Sequence, residues 1–298
     1  MTMRVVVAGS SGFLGTALRD RLARDGHQVF RLVRGEASTS TESSWDPYAG
    51  RVDDDLIDSA DAVVNLAGAP IAHWPWTESY KRTLLDSRLS TTSLLAGAIA
   101  RTGGTTALVN GSGIDAYGDT GDAVRDEQAP YGSTFLADVV RQWEAATAPA
   151  ADAGARVVLL RTAPVLHADG GVLGLVKIPF LLGLGGRVGS GRQWFPVISR
   201  DDWVDAVVFL LTHPETSGPF NLVTPKPVTN AEFTRVLGQE LHRPAVVPVP
   251  AAPLRLVAGE LSQQLLGSLG AAPRALTGAG FEFRHPDVHT VVHAAFAR

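Results

Sequence analysis

Glycine stands at the first, fourth and seventh positions of Gly9-Ser10-Ser11-Gly12-Phe13-Leu14-Gly15, a spacing suited to holding phosphate. In such a turn the first glycine permits a sharp bend, the middle one lets a pyrophosphate approach the backbone, and the last lets a helix pack against its strand. A helix that begins here points its free N–H groups at phosphate oxygens. A bare strand-to-helix turn also uses glycine. Here, however, the turn follows the β-branched run Arg4 to Ala8 and precedes leucines at helical spacing, which favours a dinucleotide. The end of the next run narrows the choice. NAD sites carry Asp or Glu there to bind the ribose 2′-hydroxyl, whereas this chain reads Arg31-Leu32-Val33-Arg34. An arginine cannot accept from a hydroxyl, but its planar fork matches a 2′-phosphate. NADP(H) is therefore the expected cofactor, and the alternative for Arg34 is a solvated loop charge.

These residues need a scaffold of alternating strands and helices. Runs at Arg4 to Ala8, Gln28 to Val33, Asp61 to Leu66, Thr106 to Asn110, Arg156 to Arg161 and Phe220 to Val223 read as strands. Helical patterns lie between them: Leu14, Leu18 and Leu22 on one face closing at Gly26, then Thr77 to Ala100, Phe135 to Ala146 and Asp201 to Leu211. The alternation predicts an α/β fold, a Rossmann-type doubly wound parallel sheet of six or seven strands. Gly35 to Asp54, rich in Ser and Thr, reads as weakly structured. Beyond Leu166 a Gly-rich segment from Gly170 to Gly191 and a proline-rich one from Pro225 to Pro253 fall outside a regular sheet. They predict a small C-terminal α/β substrate lobe. The expected division is a cofactor domain over 1–166, completed by 201–223, with a lobe interleaved from 167–200 and 224–298.

A chain of 298 residues buries such a core without staples. With 26 Lys and Arg against 30 Asp and Glu, the net charge of −4 provides no field for a phosphate backbone, so nucleic acid is not an expected partner. The absence of cysteine excludes disulfides, thiolate nucleophiles and iron–sulfur clusters. No apolar run reaches the about 18 residues of a membrane span, and a cytoplasmic protein with no membrane contact is expected. His285, His289 and His293 recur at i+4 spacing, but Pro286 breaks the first turn and no carboxylate cluster joins them, so no metal site is expected. The glycine turn lacks a Gly-Lys-Ser/Thr ending, and no Gly-x-Ser-x-Gly elbow is present. NTPase and serine-hydrolase chemistry have no anchor.

The glycine turn, the strand end Asn65-Leu66-Ala67-Gly68, and Ser112 followed by Tyr117-Gly118 resemble the extended short-chain dehydrogenase/reductases. A narrower likeness rests on Asn65 to Ile71, Trp76-Thr77 with Lys81, Ser87-Arg88, Trp143-Glu144, Gly170-Gly171, Gly183 to Trp194, Asp202, Gly259 to Ser262 and Gly280 to Phe283. These resemble the SulA-like NAD(P)-dependent epimerase/dehydratase branch, which ends in a C-terminal domain of unknown function. The resemblance extends over nearly the whole chain and implies roles by position. Gly9, Ser10, Ser11, Gly12, Phe13, Leu14 and Gly15 would hold pyrophosphate and Arg34 the 2′-phosphate. Leu66, Ala67 and Gly68 would line the adenine and ribose side, Ser112 would sit near the nicotinamide, and Pro164 and Val165 would bound that ring.

Typical members of the superfamily transfer a proton with a Tyr and a Lys four residues later, the lysine lowering the phenol pKa. Counting back from Trp143-Glu144, the matching positions are Leu136 and Val140, which move no proton, and Tyr131 is followed at that spacing by Phe135. The narrower branch resembles this chain in lacking the pair. Beside the expected nicotinamide stand Ser112, as a donor to a substrate oxygen, and Asp115 and Tyr117. Asp115 occupies a position that resembles Gly in the branch and an acid in sugar-nucleotide dehydratases. A carboxylate beside an apolar pocket exchanges protons near neutrality, though a loop aspartate also caps its own turn. Tyr117 is equally readable as a packed ring. Arg88 either reaches an anionic substrate or forms a helix-surface ion pair, and Glu127 is either a site acid or a solvated charge. Arg187 to Trp194, with Arg192 and Trp194 as substrate contacts, is either a frame or lid over the site or a mobile loop. Val197 and Ser199 stand where the branch resembles Trp and His; if that His contacts substrate in relatives, this protein has a different ligand or none.

Two functions stay open. One is an NADP(H)-binding short-chain dehydrogenase/reductase-type enzyme, an oxidoreductase or epimerase/dehydratase. It would act on a small hydroxy or keto substrate, nucleotide-sugar-like ones included, by an atypical mechanism without the Tyr/Lys pair. The other is a non-catalytic dinucleotide-binding regulatory or scaffold protein. The apolar face of Phe135 to Ala146 is compatible with a homodimer and with burial in the monomer.

Overall fold

The computed structural model describes residues 2–252 and 266–297, so the run Gly259 to Ser262 lies outside the described residues. Strand β1 (Arg4–Ala8) sends Val5 and Val7 to one face of the sheet and Val6 and Ala8 to the other, and all four are fully buried. A strand covered on both faces belongs in the middle of a parallel sheet. It pairs in parallel with β2 (Gln28–Val33) and β4 (Ala62–Asn65), while β3 (Glu42–Ser44), β5 (Ala107–Gly113), β6 (Val157–Thr162) and β7 (Gly218–Leu222) extend the sheet to seven strands. The order is β7-β6-β5-β4-β1-β2-β3, so the direction of winding reverses between β1 and β4. Ligands of doubly wound sheets bind outside the strand ends at that reversal.

Helix α1 (Phe13–Arg24) covers Val5 and Val7 with Leu18 and Leu22, together with Trp203, Val207 and Leu210 from residues 200–212. The opposite face is covered by Ile57 of α2 (Asp54–Asp58), Leu95 and Ile99 of α3 (Glu78–Arg101) and Ala150 of the short helix Ala148–Asp152. Thr77 caps α3 by accepting from the Tyr80 N–H. Helix α4 (Phe135–Ala145) is capped by Thr134 and buries Leu136, Ala137, Val139, Val140 and Trp143 within the monomer, leaving Asp138 and Arg141 exposed. Its apolar face is therefore used inside the protomer. The short helix becomes α5 in chain order, α6 is Gly171–Leu181 and α7 is Arg200–Thr212.

Within the stretch read as weakly structured, β3 forms at the sheet edge, where Glu42 lies opposite Arg31 and pairs with it. That ion pair occupies Arg31 and leaves Arg34 as the strand-end cation. A further core gathers Leu166, Leu173 and Phe180 with Val228, with Phe233 and Leu237 of α8 (Asn230–Glu240), and with Val288, Val291 and Val292 of the last helix. Residues 270–281 behave differently: Ala271, Leu276 and Phe281 pack into the sheet core beside Tyr117 and Phe220, around α9 (Arg274–Gly278). The chain ends in α10 (Val288–Phe296), capped by Asp287. No helix of the described residues is long and apolar enough to cross a membrane.

The turn after β1 explains its own glycines unequally. Gly9 has φ +79°, and a Cβ there would stand 2.7 Å from the Leu66 carbonyl carbon; at Gly15 it would stand 2.2 Å from the Gly9 oxygen. Gly12 has φ −75° and ψ 171°, which any residue adopts, and a Cβ there would meet only the Gly9 oxygen at 3.4 Å. The fold requires the outer glycines and tolerates a side chain at the middle one. In urea unfolding, Gly9→Ala and Gly15→Ala should each lose about 2 kcal/mol or more. Gly12→Ala should stay within about 1 kcal/mol of wild type.

Candidate functional site

Sheet register brings three polar side chains into one row at the C-terminal edge: Ser112 of β5 is paired with Arg161 of β6, and Arg161 with Asn221 of β7. Partners in a parallel ladder share a face, so these side chains project together. Glu144 reaches the row from the last turn of α4. It lies four residues beyond Val140 and eight beyond Leu136, so the helix face that carries the proton-transfer pair in typical members of the superfamily presents two aliphatic residues and then this carboxylate.

Arg161 grips Glu144 through both Nε, at 2.9 Å, and Nη2, at 2.8 Å, with the side chains only 5% and 3% exposed. Ser112 donates to Oε1 of the same carboxylate and Tyr131 to Oε2. Burial alone would raise the Glu144 pKa, but the Arg161 hydrogen bonds and charge, with those of Ser112 and Tyr131, bring it below the ordinary value. Burial likewise opposes the charge of Arg161, and Glu144 overcomes it, so the guanidinium is held more firmly charged than usual. Its Nη1 donates to the Tyr117 hydroxyl at 3.0 Å, and that hydroxyl donates to Asn221 Oδ1 at 2.7 Å. Burial raises the Tyr117 pKa, and burial followed by the Glu144 contact pushes Tyr131 up to about 12. Neither phenol acts as a base near neutrality.

Ser112, expected as a donor to a substrate oxygen, has an acceptor within the protein. Its hydroxyl hydrogen goes to Glu144, so what it presents to a ligand is a lone pair rather than a donor.

Asp115 sits in the 3₁₀ turn Ile114–Tyr117 that ends β5, half-buried, with no hydrogen bond to another side chain among the described residues. Burial pushes its carboxyl up to about 6, against the opposing charge of Arg88. Arg88, on α3, is not a surface residue: it is 6% exposed, stacked 4.9 Å from the Trp143 ring, with Nη1 donating to the carbonyls of Leu84 at 2.9 Å and Ala69 at 3.2 Å. Burial lowers its pKa to about 10. A Cβ on Gly68 would meet the Arg88 side chain at 3.5 Å, which places the guanidinium against the strand-end turn. Beneath it, Asn65, Thr92, Asn110 and the Trp143 indole form a closed buried network that fixes the floor.

The remaining predicted residues spread around this centre. Arg34 is exposed and makes no hydrogen bond or ion pair among the described residues. Gly9 packs on the Leu66 backbone, and the Asn65 side chain accepts from the Ala67 N–H at 3.2 Å, so the two turns at the reversal point are in contact. Ser10 is buried, Ser11 exposed, and Phe13 lies against Gly170. The Pro164 carbonyl accepts from the Ile198 N–H, and Val165 is paired with Ile198. Arg192 is exposed, while the Trp194 indole donates to the Asp122 carbonyl at 3.2 Å. Trp194 is thus tied to the loop after Tyr117, outside the Ser112 network. Glu127 is not a solvated charge: its two oxygens accept from the Asn221 and Ala275 N–H groups at 3.0 and 3.1 Å, clamping the C-terminal segment to the sheet. His285 contacts Ser199, His289 contacts Arg235 and His293 contacts Glu240, and the three line one pocket together with His167. Sequence reasoning missed the Glu144–Arg161 pairing, although Trp143-Glu144 stood among the residues carrying the resemblance.

A family model described as the NAD dependent epimerase/dehydratase family matches residues 5–223, and one described as a domain of unknown function (DUF1731) matches residues 249–295. The chain is 43% identical over 295 residues to epimerase family protein Mb2239 of Mycobacterium bovis, covering 99% of this chain and 98% of the relative. The crystal structure of human epimerase family protein SDR39U1 (isoform 2) with NADPH is similar at 34% identity and a TM-score of 0.89, with 98% of each chain covered. A nucleoside-diphosphate sugar epimerase structure from Corynebacterium glutamicum is similar at 35% identity and a TM-score of 0.82, covering 99% of this chain and 58% of that one. With a doubly wound sheet, a glycine turn at its reversal point and a family match over most of its length, this chain belongs to the NAD dependent epimerase/dehydratase family, in its extended short-chain dehydrogenase/reductase form.

Proposed function

We propose that this protein is an NADP(H)-dependent enzyme acting on a small hydroxy or keto substrate, with its proton-transfer group displaced from α4 to the end of β5. The observation that carries the cofactor is Gly12, a glycine that the fold does not need. Its absence of a side chain makes sense as room for a pyrophosphate at the uncapped start of α1, where the first turn holds no acidic residue. Arg34, without an ion-pair partner among the described residues where Arg31 is taken by Glu42, fits the 2′-phosphate. The similar human protein was crystallised with NADPH, which agrees with this choice.

When bound, the nicotinamide gives or takes a hydride. The chain's own residues do the rest. Glu144 and Arg161 position Ser112, whose lone pair accepts from a substrate hydroxyl. Asp115, poised near neutrality, holds or releases the proton at that oxygen or at a neighbouring carbon. Residues 167–200 and 224–298 would supply the substrate lobe, with 270–281 anchoring it to the sheet. A second reading, dinucleotide binding without turnover, is favoured by one observation: the hydroxyl hydrogens of Ser112, Tyr117 and Tyr131 are all committed to protein acceptors. NADPH consumption with a panel of small ketones and keto acids, lost in Asp115→Asn, decides for the enzyme; binding without consumption across the panel decides for the second reading.

Tryptophan fluorescence titration should show NADPH bound more tightly than NADH. Arg34→Ala should erase most of that difference, a loss of about tenfold or more for NADPH alone. Gly12→Ala should weaken both dinucleotides while melting like wild type. Equal binding of NADPH by wild type and Arg34→Ala contradicts the 2′-phosphate role.

Asp115 also sets a pH signature. Below its ordinary pKa the carboxyl is protonated in both folded and unfolded chains. As pH rises from there through about 6, the unfolded chain ionises first, so stability falls across this window, by about 2 to 3 kcal/mol. Asp115→Asn should melt higher than wild type above pH 6 and match it below pH ~4. A constant difference at every pH contradicts the burial of this group.

A further inference from the structure

Arg88 is a buried cation whose charge no carboxylate in contact balances. Among the described residues its only hydrogen-bond partners are two backbone carbonyls, both served by Nη1. Nε and Nη2, which form the side-on fork of the guanidinium, have no partner. They are not sealed in either, since Arg4 Nε is the one fully buried side-chain nitrogen or oxygen without a partner among the described residues. The same molecule shows what that fork does when a carboxylate is present: Arg161 uses Nε and Nη2 to grip Glu144 at 2.9 and 2.8 Å. Burying a guanidinium without a counter-ion is costly, and stacking on Trp143 offsets only part of it. Asp115 faces Arg88 electrostatically, but no ion pair joins them among the described residues. Gly68 brings the strand-end turn against the guanidinium with no side chain between them: a Cβ there would lie 3.5 Å from Arg88 Cγ and 3.6 Å from Cζ and Nη1.

We propose that the site beside the strand-end turn takes a small hydroxy- or oxo-acid, with the substrate carboxylate on the Nε/Nη2 fork of Arg88 and its neighbouring oxygen towards Asp115. The assignment rests on the reading above that the protein binds NADP(H) and a small hydroxy or keto substrate, and it names the substrate's chemical class. Planar and bidentate, the fork selects two coplanar oxygens over a single point charge. The separation between Arg88 and Asp115 matters as much as either residue: in contact, they would neutralise one another and leave no seat for an anion. Asp115 repels the carboxylate that Arg88 attracts, so the pair tunes affinity as well as orientation.

The test is calorimetric titration of the NADPH-saturated protein with oxamate, with inorganic phosphate and neutral acetamide alongside. Oxamate should bind wild type and acetamide should not. Arg88→Met, which keeps an apolar stem on Trp143, should weaken oxamate by about tenfold or more with NADPH binding retained. Asp115→Asn should tighten oxamate several-fold by removing the like charge. If Arg88→Met does not fold, Arg88→Lys, which keeps the charge and loses the fork, takes its place with the same direction of change. Oxamate binding that is absent in NADPH-bound wild type, unchanged by loss of the fork, or weaker in Asp115→Asn overturns the proposal. Phosphate binding more tightly than oxamate overturns the carboxylate assignment. Failure of wild type to bind NADPH indicts the cofactor reading instead, and the oxamate titration of the free protein then decides the Arg88 claim alone.

Discussion

Glu144 and Arg161 lie side by side at the C-terminal edge of the sheet, almost out of reach of water, and both are held charged by one another. Taking two such charges from solvent is repaid only when every remaining donor and acceptor finds a partner. Here the partners are the cleft itself. Ser112 and Tyr131 complete the carboxylate, Tyr117 completes the guanidinium, and Asn221 carries the chain of bonds on to the Ala272 carbonyl, beside the Glu127 clamp. A single ion pair therefore couples α4, the strand ends of β5, β6 and β7, and the segment after residue 266.

That arrangement also changes where chemistry is found. In typical members of the superfamily the α4 face supplies both the proton-transfer group and its cation, whereas here Leu136 and Val140 make that face apolar and Glu144 makes its end structural. Apolar walls raise the cost of charge nearby, and Asp115 and Arg88 both carry that cost in their shifted pKa values. A carboxyl near neutrality and a buried guanidinium with two carbonyl partners remain, contributed by the turn after β5 and by α3 rather than by α4.

Much of the scaffold was legible in the sequence. The bounds of β1 and β2 match the runs Arg4 to Ala8 and Gln28 to Val33, because β-branched runs ended by glycine or charge have no helical alternative. The glycine turn was legible for the same local reason. The edge strand β3 was not: Glu42–Ser44 is polar, and its strand character comes from pairing with β2 and from Glu42 meeting Arg31. The centre of the site was the least legible part. Arg161 looked like the end of a strand and Glu144 like a motif residue, and only the packing of α4 against β5 and the turn after it brings Glu144 to the neighbouring strand. Arg88 and Glu127 were ambiguous between surface and site because a sequence does not report burial of a single charged residue. Their partners, a backbone carbonyl of residue 69 and the N–H of residue 275, are contacts that no residue type encodes.

The account stands on Glu144 and Arg161 acting as a unit, and a double-mutant cycle tests this directly. Urea unfolding of Glu144→Leu, Arg161→Leu and the double variant gives their coupling free energy. Each single change strands a buried charge and should lose about 3 to 5 kcal/mol, while the double variant strands none and should be more stable than the sum of the two losses allows, by about 2 kcal/mol or more. Strict additivity would mean that the two residues act independently, and the organisation of the cleft described here would be wrong.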